Sequence, residues 1–245
     1  MGHPHAVCAE ISRGLPLLRV ARPDRYGSRA KALLMTTAII GTGVLGSVIA
    51  RLLASGGETV RLSGADQESA RRLSREIGPA AVVAVDNGDA VQGADSVVLA
   101  LRFAVLQNVI GELTQLLVDR LVVVPSNPLG TDAQGHVSRL LPEGQSSGET
   151  VARWMPAGAC LAMAFGTLSA DVLESSSKRS PEQAVVFYVT DDHRAGEEVQ
   201  RLIRTAGFVP ANAGKLDQSG RLEVGGDLHD LVVGSAEAQS LTGGA

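Results

Sequence analysis

From Met35 onward, short apolar runs alternate with stretches whose apolar residues recur every third or fourth position. Thr37 to Ile40 is the first such run, and it reads as a buried parallel strand. Behind it Val44, Leu45, Val48, Ile49, Leu52 and Leu53 share one face of a helix. Glu58 to Leu62 predicts a second strand, and Asp66 to Ile77 a helix with Ala70, Leu73 and Ile77 on one side, stopped by Gly78-Pro79. A third strand (Ala81 to Val85) precedes a polar helical turn around Asn87 to Gly93. A fourth strand (Ser96 to Leu101) and the apolar-faced helix Val105 to Leu117 follow. The fifth strand, Leu121 to Val124, ends in Pro125-Ser126-Asn127-Pro128. Such alternation implies right-handed crossovers and an α/β fold with a doubly wound, mostly parallel sheet.

Past residue 130 the pattern thins. Residues 130–149 read as loop, rich in Gly, Ser and Gln, before a helical piece from Glu149 to Met155 and a strand from Cys160 to Phe165. Residues 174–182 form a polar loop, and Ala184 to Thr190 a further strand. The helix from Arg194 to Ala206 carries Ala195, Val199, Leu202, Ile203 and Ala206 on one face, and Gly207 ends it. Phe208-Val209 reads as a short strand and Arg221-Leu222-Glu223 as helical. The expected organisation is a core over 35–130, a small C-terminal α/β extension over 131–232 completing the cleft, and a frayed tail over 233–245. Residues 1–34 differ from the rest, with Arg13, Arg19, Arg22, Arg25, Arg29 and Lys31 against only Glu10 and Asp24. They read as a disordered arm or an upstream extension with Met35 as the natural start, the alternative being an Arg-rich targeting peptide.

Composition narrows the function classes. Hydrophobic residues make up 44% and aromatics only 3%, so the core is built from Val, Leu, Ile and Ala, as in buried parallel sheets. The net charge is −4, with no long block of one sign after residue 34, which argues against nucleic-acid and membrane partners. Apolar runs fall short of the ~20 residues that cross a bilayer. Cys8 and Cys160 make neither a disulfide framework nor a metal cluster, and a reducing cytoplasm is the expected setting.

The chemistry concentrates where the first strand meets the first helix. Gly41-Thr42-Gly43-Val44-Leu45-Gly46 is a GxGxxG turn in a strand–turn–helix context, the context that gives this motif meaning. Gly41 permits the tight turn, Gly43 lets a pyrophosphate approach the backbone, and Gly46 lets the helix pack closely. Unpaired N–H groups at the helix start then face the anion. This is a Rossmann-type dinucleotide site, and ligands in such sheets lie beyond the carboxyl ends of the strands. The candidate cofactor-binding residues are therefore Gly41 to Gly46 together with Ser63, Gly64, Leu101, Arg102, Asn127 and Pro128. A carboxylate after the second strand would hold a ribose 2′-hydroxyl and an Arg there a 2′-phosphate. Asp66 suits either that role or an N-cap, which leaves NAD and NADP both open. His136 and His193 lie in a loop and at a helix start, and there is no His/Cys/Asp group at metal-ligand spacing. No catalytic side chain is assigned, and hydride exchange between two cofactors needs none.

IIGTGVLG at the front, SNPLG after the fifth strand, AFGTL at the sixth and AGKLDQSGRLE near the end resemble the deazaflavin (coenzyme F-420)-dependent NADP reductases over residues 35–230. The resemblance implies NADP rather than NAD, F-420 as co-substrate, and a homodimer. It places Thr42 to Leu45 on the dinucleotide phosphates and Asn127-Pro128 near the two reacting rings. Gly214, Leu216, Arg221 and Glu223 match the family's tail motif, whereas Lys215 departs from it. The family's Ser-Arg pair after the second strand is replaced by Gly64-Ala65 or Ala65-Asp66, and its Lys and Asn near the sixth strand by Met163 and Gly166. Two other readings fit the residues: an imine reductase of the pyrroline-carboxylate type, against which Ala184 to Thr190 argues, and a non-catalytic dinucleotide sensor.

Overall fold

In the computed structural model, which describes residues 35–243, each apolar run forms a strand and each periodic stretch a helix. The basic segment 1–34 lies outside the described residues. Strands β1 (Thr36–Ile40), β2 (Thr59–Ser63), β3 (Ala81–Val83), β4 (Ser96–Leu99) and β5 (Leu121–Val124) alternate with helices α1 (Val44–Ser55), α2 (Gln67–Ile77), α3 (Asn87–Gln92) and α4 (Phe103–Leu117). Then come a hairpin of β6 (Leu129–Thr131) and β7 (Val137–Arg139), helix α5 (Ser147–Ala152), β8 (Cys160–Ala164) and α6 (Ala170–Ser176). The chain closes with β9 (Val185–Val189), α7 (His193–Thr205), β10 (Val209–Asn212), a 3-10 turn over Leu216–Arg221, and α8 (Ser235–Thr242).

The main sheet has eight strands in the order β10-β9-β8-β5-β4-β1-β2-β3. β3, β2, β1, β4, β5 and β8 run parallel, and the reversal of direction falls between β8 and β9, which pair antiparallel. The fold is thus a Rossmann-type, mostly parallel α/β sheet. The C-terminal extension continues this same sheet rather than forming a separate layer. Successive residues of β1 face opposite sides, as strand geometry requires. Ile39 joins the core under α1, α2 and α7, while Ala38 and Ile40 join the core under α4, α5 and α8. At the far end from the strands' carboxyl termini, buried Glu58 accepts from the Thr37 hydroxyl at 2.8 Å and pairs with Arg201, fastening α7 to the sheet.

Several expectations are corrected. Residues 130–149 are not all loop: Leu129, Gly130 and Thr131 pair with Arg139, Ser138 and Val137 in an antiparallel hairpin. The helix expected from Glu149 begins earlier, because Ser146 caps it by accepting from the Glu149 N–H at 3.0 Å. Part of the polar loop at 174–182 is the end of α6, and of the helical residues expected at 221–223 only Arg221 is helical, as the last residue of the 3-10 turn. Residues Ser235–Thr242 of the tail are helical. Helix α8 lies against β10 with Ala238 buried, an apolar contact too small to register as periodicity in eight residues.

Candidate dinucleotide-binding site

The glycine turn is shaped by close approaches that only glycine allows. Gly41 has φ +106°, and a Cβ there would stand 2.3 Å from the Ala100 carbonyl oxygen. Its N–H donates to the Ser63 carbonyl at 2.7 Å, tying the ends of β1 and β2 together. A Cβ on Gly46 would lie 1.9 Å from the Gly41 carbonyl oxygen, so α1 is pressed directly onto the turn. Gly43 is different. A Cβ there would meet nothing within 4 Å, so this position faces open cleft. Gly43 is the N-cap of α1, with no side-chain cap and no acidic residue in the first turn. The first N–H groups of the helix are left for an anion, and Val44 beside them is 74% exposed.

Two chambers open beside this turn and meet at Gly43, Ala100, Leu101 and Arg102. The larger, about 750 Å³, runs along the ends of β2 and β3 past Ser63, Gly64, Asp66 and Ser69 to Asp86 and Asn87. The smaller, about 340 Å³, passes Val44 to Gly46 and reaches Ser126, Asn127 and Leu129 beyond β5. An elongated, two-part ligand lying across a glycine turn fits this cleft. Arg102, at the junction, is the one cation among the described residues lining either chamber. In the larger chamber the buried Ser63 hydroxyl donates to Asn87 Oδ1 at 2.7 Å. Asp66 accepts from the Glu68 N–H at 3.0 Å and the Ser69 hydroxyl at 2.5 Å. The Ser69 hydrogen bonds hold its carboxyl below the usual carboxylate range. Asp66 is thus the N-cap of α2 and a wall of the chamber at once.

Residues 36–128 match the family described as NADP oxidoreductase, coenzyme F-420-dependent. The protein is accordingly an NAD(P)-dependent oxidoreductase. Among solved structures, a hypothetical protein from Sinorhizobium meliloti is 27% identical, with a TM-score of 0.72 over 82% of this chain and 96% of that one. A proposed F-420-dependent NADP-reductase from Arthrobacter sp. FB24 is 23% identical, with a TM-score of 0.66 over 77% and 89%. An imine reductase from Myxococcus stipitatus, solved with NAD+, is 18% identical with a TM-score of 0.57, and only 58% of its length is covered, against 78% of this chain. The last two show the shared fold. A search of curated proteins gives no match.

The oxidoreductase cleft gathers most of the sequence candidates. Gly41, Thr42, Gly43, Ser63, Gly64, Leu101 and Arg102 line the larger chamber, and Val44, Leu45, Gly46 and Asn127 the smaller. Pro128 lines neither. It is buried, and its carbonyl accepts from the Leu140 N–H at 2.8 Å where the hairpin begins. Asn127 spends both ends of its amide on the protein, donating to the Gly166 carbonyl at 2.9 Å and accepting from the Val224 N–H at 2.8 Å. The departures at Met163 and Gly166 have a packing reason. Met163 is buried in the core, and a Cβ on Gly166 would stand 2.2 Å from the Pro125 carbonyl oxygen. Residues missed in the sequence are Ser69 and Val85 to Asn87. The signal was the end of β3, since the carboxyl-end rule applies to that strand as to its neighbours.

Behind the smaller chamber, Glu223 holds the wall together. It is 4% exposed, pairs with Arg139 of β7, and accepts from the Ser147 N–H at 2.9 Å and the Ser219 hydroxyl at 3.2 Å. Burial pushes its carboxyl up, but the Ser147 and Arg139 hydrogen bonds outweigh this and hold it below the ordinary value. The histidines among the described residues line neither chamber. His136 sits on the hairpin turn, 3.1 Å from Asp132, and His193 is exposed at the start of α7. No group of His, Cys, Asp or Glu among the described residues could hold a metal ion, and no described helix is long and apolar enough to cross a membrane.

Proposed function

We propose that the protein passes hydride between a nicotinamide cofactor lying across the glycine turn and a deazaflavin of the coenzyme F-420 type entering beside Asn127 and Leu129. The observation that carries this reading is the junction of the two chambers at Gly43 and Arg102, with no carboxylate or histidine among the described residues shared by both. Hydride exchange between two ring systems is supplied by the cofactors themselves, and the protein contributes alignment and charge. In this reading the first N–H groups of α1 bind the pyrophosphate, and Arg102 adds a guanidinium to the same anion or its nearer ribose. Leu101, Leu45 and Leu129 give the smaller chamber an apolar lining that keeps water from the ring faces. A cytoplasmic homodimer belongs to the same reading.

The test mixes the purified full chain with oxidised F-420 and reduced nicotinamide cofactor and follows the deazaflavin's visible band. Bleaching is the expected outcome. Tight cofactor binding without bleaching would transfer the role of acceptor to another small molecule.

A further inference from the structure

The ribose end of the larger chamber is acidic where a phosphate would need a cation. Asp66 and Asp86 both line it, and neither is free to swing away. Asp66 caps α2, while Asp86 caps α3 by accepting from the Asp89 N–H at 2.7 Å. Between β2 and α2 stand Gly64 and Ala65, which offer only backbone groups. A Cβ on Gly64 would lie 3.0 Å from Thr42 Oγ1 and 3.3 Å from the Thr42 nitrogen, so a longer side chain is hard to seat there. The guanidinium groups of α2 already have partners, Arg72 at the chamber wall itself. Arg75 and Arg71 face Glu68 at 2.9 and 3.8 Å. Arg72 donates to the Ser69 hydroxyl at 3.0 Å, which itself donates to Asp66. Arg61 is held by Asp89 at 2.8 Å.

We infer that this chain prefers NADH to NADPH, with the Asp66 carboxylate accepting the ribose 2′-hydroxyl. A carboxylate welcomes a hydroxyl donor and repels a phosphate dianion at contact distance. The inference rests on the nicotinamide reading above and departs from the cofactor in the family's description.

The test titrates the full chain with NADH and with NADPH at one ionic strength and reads the fluorescence of the bound nicotinamide, with no acceptor present. NADH is expected to bind about tenfold more tightly or better, a gap of about 1.4 kcal/mol. Asp66→Asn keeps an N-capping side chain, removes the charge, and should narrow the gap severalfold by strengthening NADPH. Ala65→Arg, at an exposed position, should tighten NADPH about tenfold through a guanidinium–phosphate contact. Arg72→Ala should leave NADPH no weaker relative to NADH. Wild-type binding of NADPH as tight as NADH, or a selective loss of NADPH in Arg72→Ala, would overturn the inference while leaving the nicotinamide reading standing. Binding of neither cofactor would overturn both.

Discussion

The two walls of the cleft are built by different means. The wall formed by β1, β2 and α1 is made of backbone: Gly41 turns back against Ala100, Gly46 brings the helix onto the turn, and Gly43 leaves the helix N–H groups uncovered. The opposite wall, from the end of β5 through the hairpin to the 3-10 turn, is made of side chains that reach across long stretches of sequence. Asn127 grips Val224, and Glu223 grips Arg139 and Ser147. The first wall depends on the absence of atoms, and the second on their presence. A backbone cradle suits an anion common to many ligands, whereas a side-chain wall can be rebuilt for a particular second substrate.

That contrast can be broken at named positions. Gly46→Ala should have the largest effect, since its methyl would sit on a carbonyl oxygen and force α1 away; we expect a loss of about 3 kcal/mol in urea unfolding, from overpacking. Glu223→Ala should come next, at about 2 kcal/mol in the same assay, because it strands the partly buried Arg139 guanidinium and the Ser147 N–H. The Glu223 contribution also carries a pH signature. Its folded-state pKa is lowered, so the unfolded chain takes up the proton first, and the stabilisation present above a pH of about 4.3 fades as pH falls through the lower folded value. Glu223→Gln should flatten that part of the unfolding profile.

Asn127→Ala removes two hydrogen bonds at a half-exposed position, and about 1 kcal/mol of stability should go with them. If the smaller chamber takes the second substrate, the KM for that substrate should rise while nicotinamide affinity holds. Gly43→Ala should change stability least, because its methyl meets nothing and its φ of −72° suits alanine. Yet it should weaken nicotinamide binding sharply by filling the space before the helix N–H groups. A stable, binding-competent Gly43→Ala protein would show that the ligand does not approach the turn.

The backbone wall was legible because its signal is local. Strand, GxGxxG and helix are contiguous from Thr36 to Ser55, and each glycine's role follows from its place in the turn. The side-chain wall was only half legible. Asn127 stood out as a polar residue at a strand's carboxyl end, but its partners Gly166 and Val224 are 39 and 97 residues away in the chain. Pro128 shared that strand end and turned inward to start the hairpin instead. The hairpin itself was missed because β6 and β7 are three residues each, with no alternating pattern long enough to read.

The sequence alone determined the strand–helix alternation and the glycine turn, since each rests on residue type and spacing within a short window. The tertiary structure decided which strand ends converge, that Asp66 serves as cap and chamber wall together, and that β9 and β10 extend the sheet in reverse. It also decided that Glu223 fastens the hairpin. Those outcomes depend on pairings between residues far apart in the chain, selected by burial and by the partners that buried polar groups require.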